Sequence, residues 1–251
     1  MTGGFDAHEV QVVVAHSERA TLRVGDTFLK IDSLQARLDR EVAAMALAPL
    51  PTPTVLWQRP HVLALAALPG RALGRLEEPS PASSSAWAAA GAAARRLHDA
   101  PIPPWPGRSR DDLAARLDIE SHWLIANGAV RPEVVRRNRG IAATVLRPWA
   151  PAFVHGDYQI THVFLDGDRV TGVLDWSEAS QDDPLWDLAS LTLNHEERLP
   201  DVLAGYGRRV DVELIRAWWS MRSLLNIHWL FEHGFDPWPE IGILERAMTR
   251  R

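Results

Sequence analysis

Residues 153–176 read FVHGDYQITHVFLDGDRVTGVLDW, and the architecture of the whole chain turns on this stretch. A histidine stands two positions before a carboxylate (His155, Asp157), a second histidine five positions after it (His162), and an alternating run closes on another carboxylate, Asp175. Asp166-Gly167 between two alternating segments is a hairpin signal, so the second half reads as a pair of short strands. Two imidazoles and two carboxylates at this spacing suit a phosphate-and-metal site. Taken alone, they equally suit a metal cage.

The residues upstream separate these readings. VQVVV (10–14), ATLRV (20–24) and TFLKI (27–31) alternate as strands, joined by the polar turn HSER (16–19) and by the hairpin signal Gly25-Asp26. Residues 34–47, LQARLDREVAAMAL, carry apolar side chains at helical spacing and stop at the prolines 49, 51 and 53. Lys30 therefore falls on the third strand and Glu41 on the helix, eleven residues later. Residues 55–71 read as two more short strands running into Pro69-Gly70, followed by the loop EEPSPASSS (77–85). Helical patterns then dominate at 86–100, 109–126, 132–146, 184–198, 201–206, 211–232 and 239–250. The hairpin after His162 is expected to be the only strand-like interruption.

Composition narrows the class. The 251 residues, 46% hydrophobic and 24% charged, support a sizeable core, and the absence of cysteine excludes disulfides and thiolate metal sites. No apolar run reaches membrane-spanning length, the start MTGGFDAHEV lacks the regions of a signal peptide, and a cytoplasmic location is expected. Residues 175–201 hold eight acids against Arg198, a balance of −7, which leaves +2 for the remainder of the chain's net −5. No basic stripe exists to bind nucleic acid, whereas a locally acidic surface attracts a cationic small molecule or a metal ion. Of the 27 basic residues, Lys30 is the only lysine. Lysine is a compact point charge for phosphate that the arginine fork does not always replace.

The order of parts is strand lysine, helix glutamate, Pro-Gly connection, HGDYQITH (155–162), the hairpin ending in LDW (174–176), and DDPLWDLA (182–189). In this order the chain resembles the aminoglycoside phosphotransferase and choline kinase-like family, which shares the protein-kinase fold, over nearly its whole length. The resemblance implies an α+β, two-lobed fold: a small antiparallel sheet with one helix over residues 1–70, ending in a hinge, and a mainly helical lobe over 71–251. It implies an ATP-dependent transfer of phosphate to a small-molecule hydroxyl, with Mg2+ as the metal. By the same likeness Asp157 is the catalytic base and Asp175 the principal metal ligand. Lys30 contacts the nucleotide phosphates and pairs with Glu41, the backbone at Ala66 and Leu68 meets adenine, and Ser17 lies near the phosphates. Phosphoryl transfer asks mainly for position and charge, and each of these residues supplies one of the two.

Two departures from the family pattern stand out. HSER contains no glycine, so its amides approach phosphate less freely. His162 replaces an asparagine; its imidazole suits Mn2+ better than Mg2+ as a ligand, or it can hold phosphate by a hydrogen bond. His155 reads as a scaffold histidine and Asp187 as a brace for the loop. With Lys30, Glu41, Asp157 and Asp175 all present, a working kinase is favoured over a nucleotide-binding pseudokinase. It is also favoured over a metal-dependent hydrolase built on His155, Asp157, His162 and Asp175. The acidic run with Glu232 and Asp236 points to a cationic acceptor such as an aminoglycoside. The tryptophans at 218, 219, 229 and 238 read mostly as core, and any that line a pocket suit a macrolide-like acceptor. Oligomeric state is not legible.

Overall fold

The alternating N-terminal segments pair with one another. In the structure, a computed structural model describing residues 9–76 and 78–249, β1 (Val10–Ala15), β2 (Arg19–Val24) and β3 (Thr27–Asp32) make an antiparallel meander. Residues 1–8, Glu77 at the start of the expected loop, and Arg250 at the expected end of the last helix lie outside the described residues. Gly25-Asp26 is the two-residue turn between β2 and β3, with Gly25 at φ 59°. β4 (Val55–Arg59) and β5 (Val62–Ala66) complete a five-stranded sheet in the order β1-β2-β3-β5-β4. Lys30 lies between Thr21 and Leu63 on the central strand, where its register holds it on one face.

Helix α1 (Gln35–Leu47) follows β3 directly and buries Leu38, Glu41, Ala44 and Met45 on one stripe. Glu41 is 0% exposed on this otherwise apolar stripe. A carboxylate placed there is costly unless a cation meets it.

The rest of the chain is mostly helical: β6 (Arg71–Ala72), α2 (Ser84–His98), α3 (Arg110–Ala126), α4 (Pro132–Ala142), β7 (Ala152–Val154), β8 (Val163–Asp166), β9 (Arg169–Val173), β10 (Ser180–Asp182), α5 (Leu185–Thr192), α6 (Leu199–Tyr206), α7 (Val212–His233) and α8 (Trp238–Thr249). Ser83, Ser109 and Asp211 cap the first turns of α2, α3 and α7 through side-chain oxygens. Where α6 crosses α2 the backbones nearly touch. A Cβ on Gly205 would sit 1.7 Å from the Ala88 carbonyl oxygen, so only glycine fits there. Trp218 and Trp219 on α7 are buried, at 0% and 1%, and their indole N–H groups donate to Asp183 and to Ala189. Burying such rings stabilises by about 4 kcal/mol each at roughly 25 cal/mol per Å2.

The structure differs from the sequence reading in three places. The hairpin β8–β9 is not the only strand structure of this half, since β6 joins it and β7 pairs antiparallel with β10. AFV and SQD are three residues each, too short to show a period. The helix expected over 184–198 stops at Thr192, because Leu193 turns extended and Asn194 takes φ 61°, and a 3-10 turn follows at 196–198. The helix expected over 132–146 ends at Ala142 and tightens into a 3-10 turn at 143–145. No described helix is long and apolar enough to cross a membrane.

Candidate active site

Lys30 reaches from β3 to the helix and to the segment after β9 at once. Its Nζ donates to Glu41 Oε1 and Oε2 at 2.8 and 2.7 Å, and to Asp175 Oδ1 at 2.8 Å. All three N–H bonds of the ammonium are thus spent on carboxylates. Burial alone would lower the Lys30 pKa, but Asp175 and Glu41 outweigh it and raise it. Asp175 lies just past β9 at φ 60°, a left-handed conformation uncommon for a residue with a side chain but best tolerated by Asp and Asn. Ser177 Oγ donates to Asp175 Oδ1 at 3.1 Å. Burial would raise the Asp175 carboxyl, yet Lys30, His162 and Arg19 hold it far below the ordinary carboxylate range.

HGDYQITH folds as a tight loop between β7 and β8, and its glycine is a steric requirement. Gly156 sits at φ 84°, and a Cβ there would lie 2.3 Å from the Glu178 carbonyl oxygen. Asp187 on α5 accepts from the backbone N–H of His155 at 2.7 Å and of Gly156 at 3.0 Å, and from His98 Nε2 at 3.2 Å. Tyr158 OH donates to the Ala90 carbonyl and Trp186 Nε1 to the Gly156 carbonyl. The loop is thereby fixed to α2 and α5 on both sides of Asp157. Asp157 Oδ1 accepts from Gln159 Nε2 at 2.6 Å and from Arg222 Nη2 at 3.1 Å, while Oδ2 lies 3.6 Å from His162 Nδ1. Burial would raise the Asp157 pKa; His162 and Arg222 outweigh it and lower it.

Each histidine of the stretch has a defined task. His155 is fully buried; its Nδ1 accepts from the Asp157 backbone N–H at 3.2 Å, and its Nε2 donates to the Leu174 carbonyl at 2.8 Å. With both ring nitrogens committed to backbone, His155 cannot ligate a metal, and the cage of two histidines and two carboxylates is not built. Among the described residues no group of three or more His, Cys, Asp or Glu is placed to hold a metal ion. His162 Nδ1 donates to the Asp157 carbonyl at 2.8 Å, so in the neutral ring Nε2 carries the lone pair. The donors that fit a divalent cation are the Asp175 carboxylate and His162 Nε2. One or two protein ligands completed by phosphate oxygens are what Mg2+ ordinarily takes.

Ala66 and Leu68 lie at the end of β5 and just beyond it. The Ala66 N–H donates to the Thr54 carbonyl at 2.9 Å, and the Leu68 side chain packs over Gly172 of β9. Ser17 stands exposed at the tip of the β1–β2 turn.

Three residues that sequence reading did not single out complete the site. Arg19 pairs with Asp32 at 3.0 Å and faces Asp175 at 3.8 Å; Gln159 and Arg222 hold Asp157. Arg222 lies on α7, 65 residues from the loop it serves, where no local motif marks it.

Three of the eight acids of the run turn out to be interior. Asp182 accepts from Arg108, whose guanidinium lies 3.5 Å over the Trp186 ring, Asp183 caps the start of α5 and accepts from Trp218, and Asp187 braces the loop. All three are no more than 1% exposed. The expected acidic surface over 175–201 is reduced to Glu178, the half-buried Asp175 beside Lys30 and Arg19, and Glu196, Glu197 and Asp201 beside arginines.

The sequence model of the phosphotransferase enzyme family matches residues 2–224. The chain belongs to this phosphotransferase family. Three solved structures share its fold across both chains. Wild-type aminoglycoside 2'-phosphotransferase-IIIa, in its GDP complex, is 15% identical with a TM-score of 0.74, covering 96% of this chain and 92% of that one. A choline/ethanolamine kinase family protein from Mesorhizobium loti is 21% identical at 0.66, covering 96% and 87%. Macrolide 2'-phosphotransferase MphH from Brachybacterium faecium is 18% identical at 0.63, covering 96% and 92%. No curated protein matches the chain. The chain thus has the two-lobed kinase-like fold, an antiparallel N-terminal sheet followed by a mainly helical region.

Proposed function

We propose that this phosphotransferase moves the γ-phosphate of ATP to a hydroxyl of a small molecule, an antibiotic or a related natural product. The observation that carries the reading is the chain Glu41–Lys30–Asp175, closed at 2.7 to 2.8 Å, beside a braced loop that presents Asp157. In this reading Lys30, held by Glu41, exchanges its contact with Asp175 for a phosphate oxygen. Ser17 lies near the phosphates, and the backbone at Ala66 and Leu68 meets the adenine. Asp175 and His162 would hold Mg2+ or Mn2+, whose charge neutralises that building on the phosphate oxygens. Asp157 Oδ2 receives the acceptor hydroxyl and orients it.

Exposed carboxylates at Glu178, Glu232 and Asp236, and the exposed rings of Trp229 and Trp238, are the groups available to a cationic or an apolar acceptor. Both classes therefore belong in the test. A thermal shift with ATP or GTP and Mg2+ or Mn2+ comes first, followed by nucleotide consumption against panels of aminoglycosides and macrolides. A shift with acceptor-dependent ADP release is expected. A protein that shifts with neither nucleotide overturns the reading, and acceptor-dependent ADP release excludes a pseudokinase.

The metal assignment has its own test. His162→Asn exchanges an imidazole nitrogen for a harder amide oxygen and is expected to move the Mn2+/Mg2+ activity ratio toward Mg2+. An unchanged ratio removes His162 from the metal site.

A further inference from the structure

A phosphate-binding turn normally works through backbone amides freed by glycine, and the turn HSER has no glycine and spends part of its amides on itself. Its His16 N–H donates to the Arg19 carbonyl at 2.9 Å, and its Glu18 N–H to His16 Nδ1 at 3.4 Å, so these two amides are consumed within the turn. The same turn delivers a guanidinium to the site. Arg19 Nε is anchored on the buried Asp32 Oδ2 at 3.0 Å, which fixes the plane of the fork. The other end of the fork points at the segment after β9. Nη1 lies 3.8 Å from Asp175 Oδ2 and Nη2 lies 3.5 Å from Ser177 Oγ. One edge is thus tightly held, and the opposite edge is only loosely paired, next to the carboxylate assigned to the metal and beside Lys30.

The geometry assigns Arg19 as a second phosphate-binding cation, a side-chain substitute for the missing glycine amides; this rests on the nucleotide-binding reading above. Arginine suits the task because its fork keeps one N–H edge on Asp32 while the other engages phosphate oxygens, which a lysine point charge cannot do. Lys30 then has a partner: each cation gives up a contact with Asp175 and takes a phosphate oxygen, and neither has to leave its anchor on Glu41 or Asp32.

Titration calorimetry of the full chain with ATP, ADP and adenosine in the presence of Mg2+ tests this. Arg19→Gln, which keeps an N–H for Asp32, is expected to weaken ATP and ADP by about tenfold to a hundredfold, as loss of a charge-assisted bond does, and adenosine by less than about twofold. Arg19→Lys keeps a cation beside Asp32, so the fold is spared, and is expected to weaken ATP by less than Arg19→Gln with adenosine again unchanged. A purely structural arginine would weaken all three ligands alike. Unchanged ATP affinity in Arg19→Gln, or a loss shared equally by adenosine in the variants, overturns the assignment. A wild-type chain that takes up no nucleotide overturns the underlying reading instead, and this inference with it.

Discussion

Asp157→Asn is expected to lower acceptor-dependent turnover by about 10^2 to 10^4-fold while leaving ATP affinity and the melting temperature close to wild type. The two carboxylate oxygens are not equivalent. Oδ1 is anchored by Gln159 and Arg222, whereas Oδ2 faces His162 at 3.6 Å and is the oxygen left for an incoming hydroxyl. Asparagine can keep the anchored oxygen and so its position, but it places an N–H₂ donor where an acceptor is required. Turnover therefore falls without loss of the fold. Because Arg222 and His162 hold the Asp157 carboxyl below its usual value, it stays ionised throughout neutral and mildly acidic pH. The acid limb of kcat/KM is accordingly expected below the free aspartate value of about 3.9. Single-turnover rates with saturating ATP check the size of the effect, and wild-type turnover in this variant would remove Asp157 from the chemistry.

The residues legible in the sequence are those whose role is local. Lys30 and Glu41 could be placed in advance because the strand and helix periods set one on β3 and the other on α1, and the family resemblance pairs them. HGD and LDW could be read because their spacing spans one loop and one hairpin. Arg222 was invisible for the opposite reason: it acts through tertiary contact from a long helix whose pattern reads as core, and one arginine among twenty-six carries no mark. Arg19 sat inside a turn read for its missing glycine, and its function appears only once the register of β2 against β3 places it on Asp32 and across from Asp175. The acidic run misled because charge counting cannot see burial. Asp182 and Asp183 count as a solvated face in sequence and prove to be hydrogen-bonding hubs in the interior, as is Asp187, which the sequence reads as a brace for the loop.

Among those hubs Asp187 carries the largest expected effect on stability. Its Oδ1 accepts from the Gly156 N–H, and its Oδ2 from the His155 N–H and from His98 Nε2, whose other nitrogen meets Tyr206 OH at 3.0 Å. Asp187→Ala leaves two backbone donors and a buried imidazole without an acceptor, at a position 0% exposed. The expected loss is about 3–5 kcal/mol, the usual cost of removing one partner from a buried charged network. Against total stabilities of about 5–15 kcal/mol for a protein, this is a large share. Asp187→Asn should fall between, since one oxygen remains while its N–H₂ meets a donor. Burial would raise the Asp187 pKa, but His98 and His155, through hydrogen bonds and charge, outweigh it and lower it. A carboxyl with a depressed folded pKa stabilises fully above its unfolded value of about 3.9, and that contribution disappears as pH falls through the folded value. The gap between wild type and Asp187→Ala in urea midpoint should therefore be constant from pH 7 to pH 5 and narrow only below about pH 4. Equal midpoints at pH 7 would show that the loop around Asp157 is held by its other contacts, Tyr158 to Ala90 and Trp186 to Gly156, and not by Asp187.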